Sequence, residues 1–442
     1  MEYIKLSIGD FLKNIVIGSG PAGRLASVEL GKLGEEVLLI EKNHIAGTCL
    51  NEGCMVICAL TDITKFIETN NRFNKQGFIK SQLDVSYEKI VEKIKETQIL
   101  FRKLNQMENE ELGNKIIYGE ASVNENSVEV NGETYDFEKL LIATGARPFI
   151  PDIPGREYGL TNKDILNIDK VPEKLNIIGG GIIACEVANI YSKLGSEVNI
   201  FARSTFLKGL DSDGKEYIRK HLIPEINIYE NTSIIETGKN KVITSNGEEV
   251  EGTAFFATGR VPNSEFIQDF VELNKDNTIK VNEMMQTSRE DVYAAGDVTG
   301  GIQLTPVARM EGICAARNMA GYSNKVSYNS IGQTLSLNLD VSFVNNEKVK
   351  SENIKTISTP GLGGPGAFWN GLTGDTGFTK MSINEKENRI KEIISISPSA
   401  TSDIAYQSYL MRIDSDLDNF DEFIEIHPSN DANNMLLKRV WL

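Results

Sequence analysis

The chain has 442 residues, 40% of them apolar and 24% charged, with a net charge of −16. That length admits two to four domains and a sizeable core. No run approaches the ~20 apolar residues that span a bilayer, and no basic block offers a phosphate backbone or an anionic membrane its clustered cations. The first ten residues, MEYIKLSIGD, lack the basic and then apolar pattern of a signal peptide, so a cytoplasmic protein is expected. Five cysteines, an odd number in a long chain, do not make a structural disulfide framework. Two of them, Cys49 and Cys54, stand close together in Gly47-Thr48-Cys49-Leu50-Asn51-Glu52-Gly53-Cys54. In a reducing compartment such a pair points to catalysis or metal binding.

Before that pair, Ile15-Val16-Ile17 reads as a strand running into Gly18-Ser19-Gly20-Pro21-Ala22-Gly23, and a helical apolar pattern follows. This is a GxGxxG in the context that a dinucleotide site requires. Gly18 serves the tight turn, Gly20 lets the backbone approach a pyrophosphate, and Gly23 allows helix and strand to pack closely. The helix N-terminus, with Pro21 and Ala22 in its first turn, offers free N–H groups to the anion. A second strand, 36–40, leads to Glu41, which lies 23 residues beyond Gly18 and is placed to accept from a ribose hydroxyl.

Residues 60–112 read as mostly helical scaffold, with Ile90, Ile94, Leu100 and Leu104 at helical spacing. Short strands are expected around 116–118 and 128–130, with a turn at Asn131-Gly132. Lys139 to Pro148 then reads as a buried strand ending in Ala143-Thr144-Gly145.

Pro151 and Pro154 mark a linker, after which a second strand, glycine turn and helix open near Leu175. Gly179-Gly180-Gly181-Ile182-Ile183-Ala184 is the tolerated GxGxxA variant. The next strand, 198–201, ends in Ala202, Arg203 and, slightly later, Lys208, where an NADH site would place an acidic residue. Those two cations suit a 2′-phosphate, so the second site favours NADPH over NADH. The unit closes with Ala257-Thr258-Gly259, an echo of the first ATG that suggests a duplicated plan. Then come Val292 to Asp297 and the helix start LTPVARMEG. From about Lys325 alternating strands replace the glycine turns, residues 377–396 reading as two strands about a polar turn. A glycine-rich loop covers 359–377, and the tail holds His427, one of three histidines.

Taken in order, GSGPAG with Glu41, GTCLNEGC, ATGARP, GGGIIACE, ATGRVPN and AAGD resemble the FAD-dependent pyridine nucleotide-disulfide oxidoreductases, among them glutathione reductase, dihydrolipoamide dehydrogenase and mercuric reductase. The resemblance implies an α/β chain with two Rossmann-like dinucleotide-binding domains, for FAD and NAD(P)H, and a C-terminal α+β dimerisation domain. The implied division is an FAD-binding domain over 1–148, completed by 266–324, an NAD(P)H-binding domain over 149–265 and an interface domain over 325–442. Gly18, Gly20, Pro21, Ala22, Gly23, Glu41, Thr48, Thr144, Gly145 and Asp297 would then hold FAD. Gly179, Gly181, Arg203, Lys208 and Gly259 would hold the pyridine nucleotide. Cys54 would be the thiolate against the flavin, Cys49 the thiol that attacks a small disulfide, and Glu186 the acid beside flavin and nicotinamide. His427 matches the family's base, reaching the site from the other subunit of a homodimer. No metal site is implied.

Three departures stand against the family pattern. Met55-Val56-Ile57-Cys58 replaces the usual PSK, so Cys58 occupies the position of the lysine that pairs with the Glu186 counterpart. It is read as a small buried hydrophobe, with a third redox thiol as the alternative. Ala432 stands where a carboxylate orients the catalytic histidine, with Asp431 one residue earlier. Ser342-Phe343-Val344-Asn345 replaces an FTxP stretch. Cys185 and Cys314 are read as core. Two further functions stay open: a flavoprotein reducing a quinone, metal ion or dioxygen, and a redox-sensing flavoprotein of low turnover.

Overall fold

The computed structural model of the protein describes residues 11–361, 366–418, 420–424 and 436–437. Three apolar runs, Ile15-Val16-Ile17, Leu38-Leu39-Ile40 and Leu140-Leu141-Ile142, are buried on both faces of one sheet, as strands of a covered parallel sheet require. Its strands run Lys115–Tyr118, Val37–Glu41, Phe11–Ile17 and Glu133–Ile142, all parallel, followed by the antiparallel Ser127–Val130 and Ala121–Val123. Val292–Ala294 returns from far along the sequence to pair in parallel with Glu133–Ile142. Asn131 and Gly132 both adopt positive φ in the hairpin between two of these strands, as the sequence predicts for a tight two-residue turn.

Helices α1 (Pro21–Lys32), α2 (Gly47–Asn51), α3 (Cys54–Lys75) and α4 (Tyr87–Glu110) belong to the first half of the chain. The buried stripe of α4 is Tyr87, Val91, Ile94 and Gln98; Leu100 and Leu104, expected with it, are exposed one face away.

A second parallel sheet has the order Asn227–Glu230, Glu197–Ala202, Lys174–Ile178, Thr253–Phe256. It is accompanied by α5 (Ile182–Lys193), α6 (Ser212–Tyr217) and a three-stranded antiparallel sheet within 234–251. The two ATG segments feed an antiparallel ribbon, Ala146–Pro148 against Arg260–Pro262, that joins the two sheets' exits. α7 (Thr305–Met319) packs along α1, where a Cβ at Gly312 would meet the Ala22 carbonyl oxygen at 2.2 Å. The last part of the chain is a five-stranded antiparallel sheet, Gln333–Leu335, Asp340–Asn345, Arg389–Ser397, Phe378–Asn384, Ile354–Pro360, carrying α8 (Ala400–Arg412). Ser342 to Asn345 is thus regular strand. No helix among the described residues is long and apolar enough to cross a membrane.

Candidate active site

The first glycine turn is built by three different space requirements. Gly18 takes a φ of +96°, in the left-handed region that suits glycine, and donates to the Ile40 carbonyl at 2.8 Å. A Cβ on Gly23 would meet the Gly18 carbonyl oxygen at 1.9 Å, so only glycine lets α1 close on the strand. A Cβ on Gly20 would meet nothing within 4 Å. That open side faces the first turn of α1, with Pro21 first in the helix and Ala22 buried behind it. Free helix N–H groups above an unobstructed backbone fit a pyrophosphate.

Glu41 ends its strand with both carboxylate oxygens engaged: Oε2 accepts from the N–H (2.9 Å) and hydroxyl (2.6 Å) of Ser19, and Oε1 accepts from the Asn43 N–H at 2.8 Å. Asp297 opens a short 3₁₀ turn, its carboxylate 3.3 Å from the Arg260 guanidinium. Burial pushes that carboxyl above the usual range and Arg260 partly restores it. Thr144 and Gly145 lie at the exit of the central strand. The Thr144 hydroxyl donates to the Asn263 carbonyl at 2.7 Å, and Thr258 repeats the gesture to Phe149 at 2.5 Å. These hydroxyls tie the two ATG turns to the connecting ribbon, and Gly145 and Gly259 take the positive φ that both turns need.

The cysteines sit on consecutive short elements. α2 carries Thr48 and Cys49; Gly53 interrupts it, and Cys54 begins α3. Both are free thiols in contact with one another, and the Thr305 hydroxyl donates to Cys49 Sγ at 3.3 Å while lying 3.5 Å from Cys54 Sγ. The hydrogen bond from Cys49 holds the Cys54 thiol well below its ordinary range, aided by Thr305 and resisted by burial. The same contact, with burial, pushes Cys49 up, against Thr305 and Arg309. The pair is thus polarised, with the anion favoured on Cys54 and the proton on Cys49. Position one of a helix, where N–H groups are unpaired, suits that anion.

The second glycine turn repeats the first. Gly179 has a φ of +135°, and a Cβ there would meet the Ala257 carbonyl at 2.1 Å, whereas Gly181 faces open space and Ala184 is buried in the third position. The following strand ends at buried Ala202, with Arg203 and Lys208 exposed just beyond it. Neither cation is in an ion pair among the described residues. Glu230 is aligned with Ala202 on the neighbouring strand. It is committed to the Phe206 N–H (2.6 Å) and to Arg219 (2.9 Å).

Glu186 projects from α5 toward α3. Its Oε1 accepts from the Ser336 N–H at 2.9 Å, and burial pushes its carboxyl up to about 7. Cys58 is exposed on α3, not buried as the sequence suggests. The buried stripe there is Val56, Leu60, Thr64 and Ile67, and a residue two positions from Val56 points roughly 200° away from it. Partial desolvation of its sulfur, aided by the neighbouring Cys54, nonetheless raises the Cys58 thiol, which makes it a poor nucleophile. Cys185 and Cys314 are buried, as expected. His427, Asp431 and Ala432 lie outside the described residues. Two contributors escape sequence reasoning: Thr305, which joins the thiols, and Arg309, one turn further along α7.

Two dinucleotide-type turns converging on a polarised dithiol define a flavin- and pyridine nucleotide-linked redox protein. Comparison with known proteins agrees. The pyridine nucleotide-disulphide oxidoreductase family matches residues 12–312, and the chain belongs to that family. Mercuric reductase from Lysinibacillus sphaericus is 31% identical over 93% of this chain and 79% of its own length. Glutathione reductase from Nostoc sp. is 28% identical over 94% of this chain and 96% of its own length. Among solved structures, the HOCl-induced flavoprotein disulfide reductase RclA from Escherichia coli superposes with a TM-score of 0.85, covering 97% of this chain and 100% of that one; at 22% identity the likeness concerns the fold. The protein is a flavin-dependent oxidoreductase of the pyridine nucleotide-disulfide class.

Proposed function

We propose that the protein carries electrons from NADPH through FAD to the Cys49–Cys54 pair and on to a small disulfide. The observation that carries this reading is the Thr305 hydroxyl joining two thiols of opposite acidity. FAD, when bound, supplies the two-electron link between nicotinamide and disulfide. Gly20 and the start of α1 would receive its pyrophosphate, Glu41 its adenosine ribose, and Asp297 its ribityl chain; the open backbone at Gly20 and the half-buried Asp297 carboxylate fit those groups. Gly181, Arg203 and Lys208 would receive NADPH, the cations meeting its 2′-phosphate.

In the reduced pair Cys54 is the thiolate and Cys49 the thiol. Cys49 must lose its proton to attack, and His427 of a second subunit in a homodimer is the base we assign. Cys49 sulfur then bonds to one sulfur of the acceptor disulfide, whose second sulfur leaves and takes a proton. Cys54 attacks the Cys49 sulfur of the mixed disulfide, the second acceptor thiol leaves, and the Cys49–Cys54 disulfide is restored. The balance is NADPH and one proton plus one disulfide, giving NADP⁺ and two thiols. We assign 1–148 with 266–324 to the FAD-binding domain, 149–265 to the NADPH-binding domain and 325–442 to the interface domain.

Anaerobic NADPH titration of the FAD-loaded protein is expected to give a long-wavelength thiolate-to-flavin absorbance, lost in Cys54→Ser and kept in Cys49→Ser. Disulfide-dependent NADPH oxidation disappears in both. Retention of the band in Cys54→Ser overturns the assignment of that thiolate, and disulfide turnover by Cys49→Ser overturns the exchange step.

A further inference from the structure

In the place where a cation facing Glu186 is expected, α3 presents Cys58. A cation exists on the same stripe of that helix seven residues later, Lys65, about 10 Å further along the axis at 1.5 Å per residue. Its ammonium does not bind Glu186. It lies 2.7 Å from Asp340 Oδ1, at the start of the strand Asp340–Asn345. The same oxygen accepts the Ser336 hydroxyl at 3.0 Å, and the Ser336 N–H donates to Glu186 Oε1 at 2.9 Å. One chain of contacts thus runs from α3, through the loop between two strands of the C-terminal sheet, to α5.

The charges in that chain decide what Glu186 can be. Lys65 and Asp340 cancel. An ionised Glu186 would therefore add an uncompensated negative charge beside the Cys54 thiolate. Two like charges in a partly buried site disfavour one another, and the carboxyl is the group that can take a proton. The groups facing Glu186 are Cys54, Cys58 and Lys65 from α3 and Asp340 from the C-terminal sheet. Lys65 is the one cation among them, and it is already engaged.

We propose that Ser336 orients Glu186 through its N–H, while Lys65 and Asp340, by neutralising each other, leave Glu186 without a cation of its own, so that it faces Cys54 as a proton-carrying acid in place of a direct carboxylate–cation pair. This rests on the reading of Glu186 as the acid beside the flavin. Its consequence is that Glu186 holds a proton in the two-electron-reduced protein, where Cys54 is the thiolate.

The test is an infrared pH titration of the two-electron-reduced holoenzyme, following the Glu186 carboxyl band, with Glu186→Gln as the control that identifies it. Asp340→Asn leaves Lys65 uncancelled and is expected to lower the titration midpoint by about one pH unit; Lys65→Met removes the cation and is expected to raise it by a similar amount. Lys65→Arg should restore the original midpoint. Shifts of the same sign in Asp340→Asn and Lys65→Met, or none in either, overturn the proposal, because a purely structural contact has no reason to respond with opposite signs. The pH profile of flavin reduction by NADPH should move with the band. A band that moves while the profile stays fixed keeps the network and removes Glu186 from the flavin's side, which separates the two failures.

Discussion

The two glycine-turn units share a backbone and differ at the end of the strand that follows. In both, the first glycine takes positive φ and the next glycine of the motif faces open space. In the first unit the following strand ends in Glu41, clamped by Ser19 and Asn43. In the second it ends in Ala202, with Arg203 and Lys208 beyond. The turn decides that a dinucleotide backbone can approach. In the proposed assignment, the strand end is what selects the ribose. Glu230, aligned with Ala202 on the neighbouring strand, is matched in charge by Arg219, which with the Phe206 N–H meets its Oε1.

The largest effect is expected where packing is separated from approach within one turn. Gly23→Val drives side-chain atoms into the Gly18 carbonyl, and overpacking of this kind costs about 1–3 kcal/mol or more. We expect little soluble, flavin-loaded protein, read by thermal melting and FAD absorbance. Gly20→Ala meets no neighbour, so its melting without cofactor should be unchanged while FAD affinity falls at least tenfold. Equal melting losses in both variants would refute the different roles given to these glycines.

Next in size is the strand end of the second unit. Removing Arg203 and Lys208 together deletes two solvent-exposed charge contacts, together worth about 1.4–2.7 kcal/mol. The NADPH KM is expected to rise roughly 10- to 100-fold, with kcat and the NADH KM little changed. An equal rise for both nucleotides would show that these cations do not read the 2′-phosphate. Glu41→Gln should weaken FAD binding by a smaller factor, roughly tenfold, because the amide keeps the shape and loses the charge. Equilibrium dialysis of FAD measures it, and unchanged affinity would remove Glu41 from the site.

The parts of this arrangement that were readable in the sequence are local ones. A glycine turn, its strand and its helix lie close together along the chain, and their geometry follows from steric rules that each glycine obeys. The central strand's ATG exit and its echo are equally local, and both proved to be the two ends of one ribbon. What sequence order could not supply is contact between distant segments. Thr305 is 251 positions from Cys54, and Ser336 is 150 from Glu186; neither residue type announces its partner. Cys58 is a different case. The helical period that places Val56 and Leu60 inside also places residue 58 outside, so a residue-type expectation overrode a positional signal that was present. The apolar residues of α4 misled similarly, since Leu100 and Leu104 continue a spacing but leave the buried stripe.

The two units face each other where the first contributes Cys54 and the second Glu186. Their acidities move in opposite directions: contact with Cys49 lowers Cys54 to about 6, and burial raises Glu186 to about 7. A thiol with a lowered pKa is reactive above that value and loses reactivity as pH falls through it. Alkylation of Cys54 in the two-electron-reduced protein should therefore rise through about pH 6, well below the range of an ordinary cysteine. Thr305→Val keeps the shape and removes a hydroxyl that favours the anion, so the midpoint should move upward, by less than the loss of the Cys49 donor in Cys49→Ala causes. That order follows from the hydrogen bond from Cys49 being the largest influence on Cys54 and the one from Thr305 the weaker. A Thr305→Val midpoint unchanged or lowered would show that the hydroxyl does not stabilise the thiolate, and a larger shift than in Cys49→Ala would reverse which neighbour polarises the pair.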